Sequence, residues 1–210
     1  NGPVGFTSYK YLFRGMTNFN HPNVSLWDVS NVTDMNGMFS ACHAFNQDLN
    51  SWDVSNVTDM GVLFQGCSAF NQPLYLWNTR SATKMNGMFS SCTVFDQELS
   101  NFDTSKVTSM SNMFSLTHAF NKELHTFNTS NVTDMHQMFY DAQQFNQPLY
   151  HFNTSQVSNM NQMFQYASKF DQDISNWDVH LIPSKPNSFD SDTLATWTTA
   201  EKPVWGTTGI

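Results

Sequence analysis

Apolar and polar positions alternate along this chain with a period of 25 residues that never slips. Trp27, Trp52, Trp77, Phe102, Phe127, Phe152 and Trp177 form one column. Phe39, Phe64, Phe89, Phe114, Phe139 and Phe164 form a second, and Phe45, Phe70, Phe95, Phe120, Phe145 and Phe170 a third. Met35, Met60, Met85, Met110, Met135 and Met160 make another, as do Met38, Leu63, Met88, Met113, Met138 and Met163. Leu49, Leu74, Leu99, Leu124, Leu149 and Ile174 complete the set. Registers held in phase without insertion are the mark of stacked repeats, in which each unit buries its apolar face against its neighbours.

Within one unit, residues 49–73, the pattern predicts two elements. Leu49, Trp52 and Val54 have the Leu-x-x-Leu-x-Leu spacing that opens a leucine-rich repeat, and Trp52 and Val54, two apart, share one face of a short strand. Met60, Leu63, Phe64 and Cys67 stand at i, i+3, i+4 and i+7, one stripe of a short helix, for which Thr58 is the expected N-cap and Asp59 the acidic first-turn residue. Stacked strands would then form one parallel sheet rising about 4.8 Å per unit. The expected fold is an α/β, right-handed, leucine-rich-repeat-like solenoid of 25-residue strand–short helix modules with one parallel sheet and capped ends.

Residues 1–26 hold a degraded copy, with Leu12-Phe13 in place of Met38-Phe39, and read as an N-terminal cap. Residues 27–176 are six repeats. Residues 177–210 begin as a seventh and then leave the pattern, bringing Trp197 and Trp205, and read as a C-terminal cap. An isolated unit buries too few side chains, at about 2 kcal/mol each, to offset the roughly 1.5 kcal/mol per residue of its ordering.

Composition narrows the function. The 19 Phe, 12 Met and 6 Trp exclude disorder, and a net charge of −8 without a basic run argues against nucleic acid and anionic membrane as partners. No apolar run is long enough for a membrane helix. The chain opens at Asn1, which reads as a segment of a longer polypeptide.

The repeated strings Trp-Asp-Val-Ser-Asn-Val-Thr-Asp-Met and Met-Phe-Ser-x-Cys-x-x-Phe-Asn-Gln, clearest in residues 27–51 and 52–76, resemble the bacterial surface-protein repeat of about 25 residues, grouped with the BspA-like leucine-rich repeats. The resemblance covers roughly residues 27–180. It implies an extracellular or cell-surface region of a larger adhesin or lipoprotein, and no catalytic residues.

The chemistry-bearing residues fit that picture. Cys42, Cys67 and Cys92 share a column with Thr117, Ala142 and Ala167, which reads as a small buried slot holding free thiols. The Asn46 column (with Asp96 and Asp171) and the neighbouring Gln47 column read as side chains that satisfy loop backbone. No hydrolase, phosphate-loop or metalloprotease motif is present, so no enzyme, cofactor or metal is expected. The outward Asp28, Asp53, Asp103 and Asp178 column gives calcium as an alternative, and the Thr104, Thr129 and Thr154 array gives ice, although that array falls on the Trp-side face. Columns that vary are free to encode recognition. They bring Tyr75, Arg80, His125, Tyr150 and His151 to the outward face of the expected sheet, as the candidate ligand-binding residues. The expected function is a non-catalytic, monomeric, adhesin-type interaction module for a protein or glycan, and the alternative is a spacer or stalk.

Overall fold

The computed structural model describes residues 5–209; residues 1–4 of the expected N-terminal cap and residue 210 of the expected C-terminal cap lie outside them. The 25-residue period is the stacking period. Six parallel bridges join Ser8, Asp34, Asp59, Lys84, Ser109, Asp134 and Asn159 in series, so each bridge residue starts a coil of chain laid on the next.

The coils are not built from the expected elements. Among the described residues there is no α-helix, no strand and no sheet, only two 3₁₀ turns, Pro22–Leu26 and Thr199–Glu201, and the isolated bridges. The right-handed, leucine-rich-repeat-like α/β solenoid with one parallel sheet is therefore corrected to an aromatic-packed stack of turns.

The helical stripe is real as a burial pattern, since Met60, Leu63, Phe64 and Cys67 are fully buried. Its backbone is a run of overlapping turns: Leu63 N–H donates to the Met60 carbonyl, Gln65 to Val62 and Cys67 to Phe64, each three residues back. The amides between them point along the stack. Met60 donates to Lys84, Val62 to Asn86, Phe64 to Met88 and Gly66 to Ser90, each at 2.7–3.0 Å. An α-helix would need all of these donors for its own i−4 carbonyls. The left-handed φ at Val62 (47°) and Gly66 (73°) also breaks any helix, and the same two columns are left-handed at Gly37 and Ala41, Gly87 and Ser91, and Asn112 and Leu116. Thr58 caps nothing: its Oγ1 donates to the Thr33 carbonyl of the preceding coil.

The expected strand fails for a related reason. Trp52 and Val54 are buried on either side of exposed Asp53, as alternation requires. However, Trp52 N–H turns back to the Leu49 carbonyl and Val57 N–H to Val54, so no ladder forms there. Where Thr replaces Val, its hydroxyl joins the coils. Thr79 Oγ1 donates to the Asp103 carbonyl at 3.0 Å and accepts from Asp103 N–H at 2.8 Å, and Thr104 repeats both contacts on Asn128.

The core is two lines of phenylalanine rings. Phe39, Phe64, Phe89, Phe114, Phe139 and Phe164 follow one another at 5.5–5.9 Å, and each sits 4.1–4.2 Å from its partner in the line Phe45 to Phe170. Past the last coil, Trp197 lies edge-on across Phe164 at 5.4 Å and Phe170 at 4.9 Å.

Candidate functional site

The polar columns show how much of the chain's chemistry the stack uses. Asn46 Oδ1 accepts from Asn71 N–H, Asn71 from Asp96, Asp96 from Asn121, Asn121 from Asn146 and Asn146 from Asp171, at 2.9–3.0 Å. Gln72, Gln97, Gln147 and Gln172 donate to the same oxygens. The Asn46 column therefore serves the loop backbone, as its sequence pattern suggested, whereas Gln72, Gln97 and Gln172 steady the Asn side chains and only Gln47 and Gln147 also reach a backbone carbonyl, those of Asn20 and Asn121. The thiols are free and buried. Cys42, Cys67 and Cys92 Sγ each contact a phenylalanine carbonyl of an earlier coil at 3.0–3.1 Å, and Thr117 Oγ1 does so at 2.7 Å. Burial pushes the Cys42 thiol up to about 11 and raises Cys67 and Cys92 well above the ordinary thiol value.

The outward acids are engaged within their own loops. The Ser30, Ser55 and Ser105 hydroxyls, then their backbone N–H groups, hold Asp28, Asp53 and Asp103 below the ordinary carboxylate value, and the His180 side chain does the same for Asp178. Among the described residues no three His, Cys, Asp or Glu side chains converge as metal ligands would. The Thr79, Thr104, Thr129 and Thr154 column is buried, so it offers no flat surface to ice.

The variable columns lie at an edge of turns rather than on a sheet. Tyr75 is 60% exposed and Tyr150 64%, each on the turn that follows a buried Leu. His125, Tyr150 and His151 come together with Glu123 and Pro148 around a shallow groove of about 100 Å³. His125 Nδ1 lies 3.4 Å from Glu123 Oε2, and the Tyr150 and His151 rings meet edge to face at 5.7 Å. Tyr75 and Arg80 do not reach this groove; three coils separate Tyr75 from Tyr150, about 14 Å at the spacing of paired backbones. Arg80 is exposed, and its charge helps to lower the Asp53 pKa.

A chain of 25-residue turns with a buried Met after the bridge positions from Asp34 to Asn159 and a buried phenylalanine pair is a specific pattern. A family model described as "Mycoplasma protein of unknown function, DUF285" matches residues 6–102 and again residues 83–199. The chain belongs to the DUF285 family. The two overlapping matches make DUF285 a repeated unit here, in keeping with the stacking period. No protein of curated function matches the chain.

Within this DUF285 chain His151 has a structural duty that its sequence position concealed. Trp52, Trp77 and Trp177 each send the indole N–H to a carbonyl 28 residues earlier, and Phe152 has no such donor. His151 Nε2 lies 2.9 Å from the equivalent carbonyl, that of Leu124. A carbonyl only accepts, so Nε2 carries the hydrogen. Asn101 Nδ2 replaces the missing donor of Phe102 in the same way, at 3.2 Å from the Leu74 carbonyl. Missed at the sequence level were Glu123 and Pro148; the signal for Glu123 was its position two residues before His125.

Proposed function

We propose that this DUF285 segment is a non-catalytic interaction module of a larger extracellular or cell-surface protein, binding a protein or glycan through the turn edge that carries Tyr75 and Tyr150. The observation that carries the reading is their exposure, 60% and 64%, on a stack whose two phenylalanine columns, from Phe39 and from Phe45, are fully buried. A large amphipathic ring held outward by a rigid turn contributes contact area at small entropic cost. Leu76, 62% exposed beside Tyr75, extends the apolar surface there, and the groove between Glu123, His125 and Tyr150 adds polar contacts. The finer resemblance of the repeat to BspA-like bacterial surface repeats supports the location.

A glycan array and a surface-protein pull-down, each run with and without calcium, test the reading. A specific hit that weakens about tenfold in Tyr75→Ala/Tyr150→Ala, with the melting temperature held, supports it. Affinity unchanged in that variant sinks the assignment of the edge. The spacer reading has an observation of its own: the outward Asp53, Asp103 and Asn128 each give their Oδ1 to the N–H two residues on. Silence on both panels from a folded monomer favours it.

A further inference from the structure

The two ends of the stack differ. At every internal junction one coil presents a row of N–H groups and the next answers with carbonyls at every second residue. The first coil donates in this way from Tyr9, Tyr11, Phe13 and Gly15 to Asp34, Asn36, Met38 and Ser40. On its other side, the carbonyls of Ser8, Lys10, Leu12 and Arg14 occupy the accepting positions, and no described residue donates to them. The core columns are open on that side as well. Leu12 and Met16 are 44% and 51% exposed, whereas Met38 and Cys42, which occupy their positions one coil on, are fully buried. At the far end, by contrast, the N–H groups of Gln162, Phe164 and Tyr166 are answered by the carbonyls of Asn187, Phe189 and Ser191.

We propose that the face formed by Ser8–Met16 is a stacking interface for a further 25-residue repeat of the same pattern, which continues the stack in the N-terminal direction. The hydrogen-bond polarity selects this occupant. A surface that accepts at every second residue over four positions needs a partner that donates at the same interval, and each internal coil is built that way. Two copies meeting by their N-terminal faces would set carbonyl against carbonyl. In a second copy, the N–H row of the coil that starts at Asn159 is already occupied by residues 187–191, with Trp197 across its rings. Four residues ahead of Gly5 are too few to form a coil of 25. The apolar side chains are continuous with the Met and Phe columns, so an added coil would bury Leu12 and Met16 as Met38 and Cys42 are buried.

Met16 provides the readout, because it is half exposed while the other 11 of the 12 Met are fully buried. The 210-residue chain is compared with a version in which a copy of residues 33–57 is joined directly ahead of Thr7, in register with the bridge column. The expected result is slower peroxide oxidation of Met16, by about tenfold, with a melting temperature higher by roughly 4 °C or more. A scrambled copy of the same 25 residues should give neither effect. Leu12→Asp should leave the original chain's melting temperature within about 2 °C and abolish the gain in the extended chain. Met16 oxidised at the parent rate in the extended chain, or protected equally by the scrambled copy, overturns the proposal. So does a concentration-dependent dimer of the original chain in sedimentation, because a second copy would then be the occupant.

Discussion

Single side chains carry the junctions between coils, and several are testable one at a time. Thr104 is buried and bonds both backbone groups of Asn128, so Thr104→Val should destabilise by about 1–2 kcal/mol in denaturant titration, although Val occupies the same column at positions 29, 54 and 179. A neutral result would show that the hydroxyl is not holding the junction. His151→Ala removes the donor to the Leu124 carbonyl and should cost about 1 kcal/mol, whereas His151→Asn should recover most of it, as Asn101 does in its own coil. Equal loss in the two variants would contradict the substitution of one donor for another. The buried thiols should not react with a thiol reagent until the chain unfolds, and then all three should titrate together. The burial of every aromatic column, the backbone role of Asn46 and Gln47 and the free thiols were legible in the sequence, because a repeat displays each environment six times over. The duty of His151 was not legible, because it depends on a missing indole N–H in the neighbouring Phe152.

At the scale of the element, the sequence pattern gave the right faces and the wrong backbone. Met60, Leu63, Phe64 and Cys67 line one stripe equally well on a helix or on overlapping turns, so periodicity alone does not distinguish them. The distinguishing signal was glycine. Gly15, Gly37, Gly66 and Gly87 fall in two columns four residues apart, and all are left-handed, a conformation a helix does not use. Val62 fills the space between Gly37 and Gly87, and a Cβ at Gly87 would lie 2.9 Å from the Val62 side chain. Gly87→Ala should therefore destabilise by about 1–3 kcal/mol, from the left-handed φ of 60° and the collision together. Stability unchanged in Gly87→Ala would place that turn in another conformation.

For the whole molecule, the stack is held by many weak junctions, and its C-terminal end is tied by a small charge cluster. Asp190, 7% exposed at its side chain, is paired with Lys185 at 2.5 Å and Lys202 at 2.8 Å, and Lys202 also lies 4.5 Å from the Trp197 ring centre. Burial pushes the Asp190 pKa up, but the hydrogen bonds and charges of the two lysines outweigh it and leave it below the ordinary value. A depressed folded-state pKa contributes stability that is present above the unfolded value of about 3.9 and is lost as pH falls through the folded one. Acid should therefore loosen this end, and Asp190→Asn should lower the melting temperature at pH 7 and flatten its fall below about pH 4. An unchanged acid profile in that variant would remove the cluster from the stability of the end. The stack of turns and the proposed N-terminal stacking face both follow from the same feature, amides that point along the stack. Scalar couplings across hydrogen bonds, measured by NMR on the isotope-labelled chain, test that feature most directly. Val62 N–H should couple to the carbonyl of Asn86, and Phe64 N–H to that of Met88. Couplings from these amides to carbonyls four residues earlier in the chain would contradict the stack of turns and restore a helix.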